Sequence, residues 1–162
     1  MRVFVIVIRV VIVYNREKLI IGGVKMSVEK DKQMAESIAR KVAERGGRTF
    51  YVGGYVRDKM LGRRNKDIDI EVHGVTSDVL RQILETEGEL RTQGASFGVY
   101  NLAHYDIDIA QPRKEHATGR RHKDFEVFVD PFIGYEAAAK RRDFTINAMM
   151  GDVLTGEIVD PY

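Results

Sequence analysis

Cysteine is absent from all 162 residues, which removes disulfide staples, thiolate metal sites and cysteine nucleophiles from consideration. That fits a reducing cytoplasm, where disulfides do not persist. Charge of one sign is also scarce. The formal net charge of +2 is too small to mark a nucleic-acid binder, so any such case must rest on local clustering. Nor is there an apolar run of the roughly 20 residues that crossing a bilayer takes, so no membrane is expected as a partner. The longest run, Val3 to Val13, is β-branched and interrupted by Arg9. Arg2 ahead of it suits a signal peptide, but no small-residue cleavage site follows. Two readings stand for it: an extra strand, or sequence upstream of a start at Met26, where a complete domain would begin. Repeats, linkers and low-complexity stretches are missing as well. With 44% apolar and 31% charged residues, what remains has the balance of one globular domain with a real core.

The periodicities then divide the chain. Met34, Ile38 and Val42 fall at four-residue spacing after a capping Ser27, which predicts a helix stopped by Gly46-Gly47. Thr49 to Val52 reads as a buried strand and Tyr55 to Leu61 as a short helix, with Gly53-Gly54 between them. Asp67 to Val72 alternates acid with aliphatic, which predicts a strand with one carboxylate face and one apolar face. Ser77 to Glu87 returns to helical spacing. Val99 to Leu102, Tyr105 to Ala110 and Phe125 to Val129 read as strands, and Pro112 to Asp124 as a basic loop. Tyr135 to Met150 reads as helical with a break near Asp143. Strands mixed with helices in this order predict an α/β (α+β) fold with a mixed central sheet flanked by helices.

Three constellations carry chemistry. Asp67 and Asp69 lie on one strand face about 7 Å apart along the chain. Their like charges repel unless a cation lies between them, and a hard divalent ion such as Mg²⁺ suits that gap. An isolated Asp-x-Asp is nevertheless most often a solvated strand face. Gly53-Gly54 followed by Arg57-Asp58 would let the backbone approach a phosphate, with helix amides and Arg57 as donors. The alternative is a plain tight turn with surface charge. The Gly-Lys-Ser/Thr ending of a Walker A loop is missing. Finally, Lys140-Arg141-Arg142-Asp143 with Asn147 could neutralise a triphosphate and bond a sugar or base, or could be a solvated charge run. Arg113, Lys114, Arg120, Arg121 and Lys123 add a contact surface for RNA phosphates.

Taken together, YVGGYVRDKMLGRRNKDIDIEV over 51–72 and RRDFTINAM over 141–149 resemble one family. They are similar to the head of class II tRNA nucleotidyltransferases (CCA-adding enzymes) and bacterial poly(A) polymerases. The resemblance runs from Thr49 to Tyr162 and includes DIDIAQPRKE and EIVDPY. It implies that Asp67 and Asp69 hold catalytic Mg²⁺, with Asp108 on the neighbouring strand as a candidate third catalytic carboxylate. It implies that Gly54 and Arg57, in the glycine turn with Gly53, contact the incoming triphosphate together with Arg142. Asp143 and Asn147 would position the nucleotide or shape their segment, with Arg141 nearby. The implied reaction is attack by an RNA 3′-hydroxyl, such as a tRNA end, on the α-phosphorus of ATP or CTP, releasing pyrophosphate. A non-catalytic nucleotide- or RNA-binding remnant is the alternative.

Two departures stand out. Where many members carry an acidic pair with Leu ahead of Arg-Arg-Asp, this chain has Ala138 and Ala139. The helical region that follows the head in this family and selects the base is not in the sequence. The expected organisation is a hydrophobic extension over 1–25 and a head domain over 26–162, without neck, body or tail helical domains.

Overall fold

A seven-stranded mixed sheet organises the computed structural model, which describes residues 28–91, 98–117 and 125–162. The expectations for Val3 to Val13, Met26 and Ser27, and for Arg120, Arg121 and Lys123, lie outside the described residues.

Helix α1, over 28–44, leads into β1 (Arg48–Tyr51), α2 (Gly54–Met60), β2 (Ile68–His73) and α3 (Ser77–Glu87). Then come β3 (Leu90–Arg91), β4 (Val99–Leu102), β5 (Ile107–Ala110), β6 (Arg113–Ala117) and β7 (Phe125–Val129). Helix α4 (Tyr135–Ala139), a 3₁₀ turn (Thr145–Asn147), β8 (Met150–Asp152) and β9 (Ile158–Val159) complete the order. The sheet runs β3-β4-β5-β2-β1-β8-β9, so β2 is its central strand. Every neighbouring pair is antiparallel except β2 with β5.

The period-two pattern of β2 sorts the molecule into layers. Ile68, Ile70 and Val72 face a core shared with Met34, Ile38 and Val42 of α1 and Leu80, Ile83 and Leu84 of α3. The two helices are pinned together where Glu87 accepts from Ser37 and Lys41, each at 2.8 Å. Between α1 and β1 the chain passes so close to β2 that a Cβ on Gly47 would lie 2.6 Å from the His73 carbonyl oxygen. Only glycine fits there. Asp69, Glu71 and His73 point to the opposite face, where a smaller core of Phe50, Val52 and Met150 packs with Tyr135 of α4. Phe50, His73 and Tyr135 meet edge to face there, with ring centroids 5.1 to 5.4 Å apart.

The fold class expected from the sequence holds, with local corrections. Arg113–Ala117, read as part of a loop, is a strand that pairs with β7 in a separate two-stranded sheet. The sequence of its first strand, RKEHA, has no apolar alternation, so its charge concealed it. The helix expected over 135–150 is only α4 and the 3₁₀ turn, because Phe144 and Ile146 are 63% and 48% exposed and supply no packed face to extend it. Strands β3, β8 and β9, of two or three residues each, went unread.

Candidate active site

The exposed end of the polar face of β2 gathers most of the singled-out residues. Asp67 precedes the strand, exposed, with its backbone N–H donating to Asn65 Oδ1 at 3.0 Å. Asp69 is half-buried and lies directly beside Asp108, its register partner on the parallel strand β5. Adjacent strands lie about 4.8 Å apart, so the two carboxylates are close neighbours. Asn101 on β4 donates to Asp108 Oδ1 and steadies it. Burial pushes the Asp69 carboxyl above the usual range; the charges of Asp108 and Asp67 push the same way, and Arg142 opposes them.

Gly53 closes this acidic cluster from the side. It follows β1 with φ +63°, in the left-handed region that disfavours side chains. A Cβ built there would lie 3.6 Å from Arg142 Nη1 and 3.8 Å from Asp69 Oδ2. An acid and a base therefore face one small opening that the glycine leaves clear. The next element, α2, has only seven residues and no side-chain cap, so the helix terminus read from the sequence is slight and cations dominate.

Those cations are held in two groups. Arg57 donates through Nε to Asp58 Oδ1 and through Nη1 to Asn147 Oδ1, both at 3.0 Å. Asn65 holds the other oxygen of Asp58 at 2.8 Å, and Asn147 Nδ2 reaches Asp143 Oδ1 at 3.4 Å. This chain of contacts ties α2 to the 3₁₀ turn. Arg141 and Arg142 each donate through Nη2 to Glu71 Oε2 at 3.1 Å. His73 Nε2 donates to the other oxygen of Glu71 at 3.0 Å. Burial would raise the Glu71 carboxyl, but the His73 hydrogen bond and the arginine charges outweigh it and hold the group below its usual range.

The site residues from the sequence thus separate. Gly53, Gly54, Arg57, Asp67, Asp69, Asp108, Arg141, Arg142, Asp143 and Asn147 lie on β2, on its neighbour β5, in the β1–β2 connection and in the α4–β8 connection. Arg113 and Lys114 stand on the β6–β7 ribbon, where Lys114 pairs with Asp130 at 2.7 Å. Sequence reading passed over Asn65, Asn101 and Glu71. For Glu71 the signal was present, since it continues the acid-aliphatic alternation of Asp67 and Asp69.

A divalent cation fits the acidic end. Among the described residues no three carboxylate or imidazole groups converge on a metal position. A hard cation needs only one or two carboxylates when phosphate and water complete its shell. The upward push on Asp69 is the strain such a cation would relieve.

Residues 49–162 match the profile described as the Poly A polymerase head domain. The chain belongs to that family. Within it, a multifunctional CCA protein of Methylobacillus flagellatus is 37% identical over 115 residues, 71% of this chain and 26% of that protein. The crystal structure of the Bacillus stearothermophilus CCA-adding enzyme in complex with CTP matches with TM-score 0.60 and 26% identity, covering 80% of this chain and 29% of the other. A tRNA nucleotidyltransferase complexed with a primer tRNA and an incoming ATP analogue matches with TM-score 0.53 and 26% identity, covering 76% of this chain and 34% of the other. The chain spans about a quarter of the length of the curated head-family relatives it matches. Among the described residues no helix is long and apolar enough to cross a membrane.

Proposed function

We propose that this chain carries the head chemistry of a nucleotidyltransferase, moving a nucleotide from ATP or CTP to an RNA 3′-hydroxyl, such as a tRNA end, with release of pyrophosphate. One observation carries this reading: Asp69 and Arg142 meet at Gly53, so a metal-holding acid and a phosphate-binding base share one opening. The named partners of the related structures, CTP, an ATP analogue and a primer tRNA, support the same substrates.

Asp67 and Asp69 would hold Mg²⁺, which when bound neutralises triphosphate charge and favours ionisation of the attacking hydroxyl. The chain's own residues do the rest. Asp108 adds negative charge beside Asp69 and keeps that carboxylate in demand of a cation. Gly53, lacking a side chain, lets a phosphate oxygen come close to the backbone, and Arg142 Nη1 stands there to receive it. Arg57, braced by Asp58 and Asn147, offers a second positive charge from the α2 side. In the reaction the 3′-hydroxyl gives up its proton to water and its oxygen bonds to the α-phosphorus as the bond to the bridging β-oxygen breaks, and pyrophosphate carries that electron pair away. Fixed cations matter most at that leaving group, where charge develops.

Calorimetric titration of ATP and of CTP into the chain, with Mg²⁺ and again with EDTA, tests this reading. Binding that requires the metal and differs little between the two bases is expected, since Gly53, Arg57 and Arg142 would grip phosphates rather than bases. No binding of either nucleotide with Mg²⁺ present overturns it. Pyrophosphate release on an RNA primer then separates an enzyme from a remnant that only binds.

A further inference from the structure

Glu71 is a carboxylate with 1% of its surface exposed, two residues beyond Asp69 on the same face of β2. At that depth an unpaired carboxylate would be neutralised or expelled. Three donors keep it ionised: Nη2 of Arg141, Nη2 of Arg142 and Nε2 of His73. It is also anchored, because β2 is flanked by β1 and β5, with Phe50 and Ala110 as the register partners of Glu71. One rigid central strand therefore carries both the acid beside the opening and the acid that grips two arginines.

The guanidinium of Arg142 is divided between two tasks. Its Nη2 bonds Glu71, while its Nη1, like Asp69 Oδ2, borders the space where a Gly53 side chain would begin. Two adjacent arginines repel each other, and a single carboxylate between them removes most of that repulsion while leaving the group net positive. A planar fork with fixed donor directions suits such a division, because fixing one nitrogen fixes where the other points.

We propose that Glu71 is a positioning residue, which by holding Nη2 of Arg141 and Arg142 aims the Nη1 edge of Arg142 at the triphosphate of an incoming nucleotide. This rests on the nucleotide-transfer reading above. Glu71 itself touches no phosphate, and its effect passes through the arginines.

The test is calorimetric titration of ATP with Mg²⁺ into the full chain as parent, Glu71→Gln, Arg142→Ala and the double variant, each also followed by thermal melting. Glutamine keeps the shape and one acceptor but removes the charge. Glu71→Gln is expected to weaken ATP about tenfold, the loss of one well-aimed charge-assisted hydrogen bond. In the Arg142→Ala background the same change is expected to add little, because nothing remains to be aimed. The Mg²⁺ concentration for half-saturation stays as in the parent, since Asp67 and Asp69 are untouched. Unchanged ATP affinity in Glu71→Gln, or equal losses in both backgrounds, overturns the positioning role. Should Glu71→Gln not fold, Arg142→Lys decides. Lysine keeps the charge, yet its single nitrogen cannot stand both where Nη2 bonds Glu71 and where Nη1 borders Gly53, so affinity falls under the proposal and parental affinity overturns it. A parent that binds no ATP sinks the nucleotide-transfer reading and this inference with it. A parent that binds while Glu71→Gln binds equally well sinks the positioning role alone.

Discussion

Asp69 and Glu71 sit two residues apart on one strand face, yet their carboxyl groups are driven in opposite directions. Asp69 is raised by burial and by the charges of Asp108 and Asp67, so ionising it costs the fold free energy. The sign follows from linkage. A folded-state pKa above the unfolded one gives stability that is present below the unfolded pKa and lost as pH rises through the folded one. Asp69→Asn is therefore expected to raise the melting temperature near neutral pH in EDTA, with the gain vanishing in acid, while nucleotide binding with Mg²⁺ is lost. A melting series from pH 3 to 8 on both proteins checks this, and a variant no more stable than the parent at pH 7 would contradict it. The two acids differ in legibility for the same reason. Alternation in Asp67 to Val72 placed both on one face, but it could not tell that Asp69 stays half-exposed while Glu71 is buried beside Phe50 and gripped by the two arginines. That covering comes from residues distant in sequence.

Among the elements, the joint between β1 and β8 depends on one buried acid. Asp152 accepts from Arg48 Nε at 3.0 Å and Nη2 at 2.8 Å, and from the backbone N–H groups of Leu154 and Thr155 at 2.9 Å each. Burial would raise its carboxyl, but the Thr155 amide, Arg48 and the Leu154 amide together hold it below the usual range. Such a group stabilises above the unfolded pKa, and the contribution is lost as pH falls through the folded value. Asp152→Asn is expected to cost about 1–3 kcal/mol at pH 7, as hydrogen bonds to a charged group do, and progressively less in acid. Urea unfolding at both pH values measures it. An equal cost at both would mean that shape rather than charge holds the joint. This joint was invisible in the sequence, because β8 is three residues long and contains Gly151, too short for any period to register. Helix α3 and strands β4 and β7 were read with their bounds intact, whereas β1, α2 and β2 lie one residue off and β5 begins two residues later than expected.

At the scale of the whole molecule, order along the chain said little about which strands touch. The parallel pairing of β2 with β5, which brings Asp69 beside Asp108, joins segments separated by α3, β3 and β4. Motif spacing indicated the family from its residues, but only the topology explains why those motifs converge: all of them border the central strand. Gly53 reaches it through Val52, whose N–H donates to the Asp69 carbonyl oxygen at 3.0 Å; Arg141 and Arg142 reach it through Glu71. The turn carrying Asn147 is tied in through Arg57. A ligand gripping these segments should therefore stabilise the sheet as a unit rather than one loop. With Mg²⁺ present and ATP at 100 times its dissociation constant, linkage gives about 2.7 kcal/mol, a rise in melting temperature of roughly 5–10 °C for a domain of this size. EDTA should abolish the rise, because the acidic end then repels the phosphates that the arginines attract. Differential scanning calorimetry with and without EDTA measures both arms. A melting point unmoved by saturating ATP, or raised equally in EDTA, would mean that the acids of β2 and the arginines around it do not act as one site.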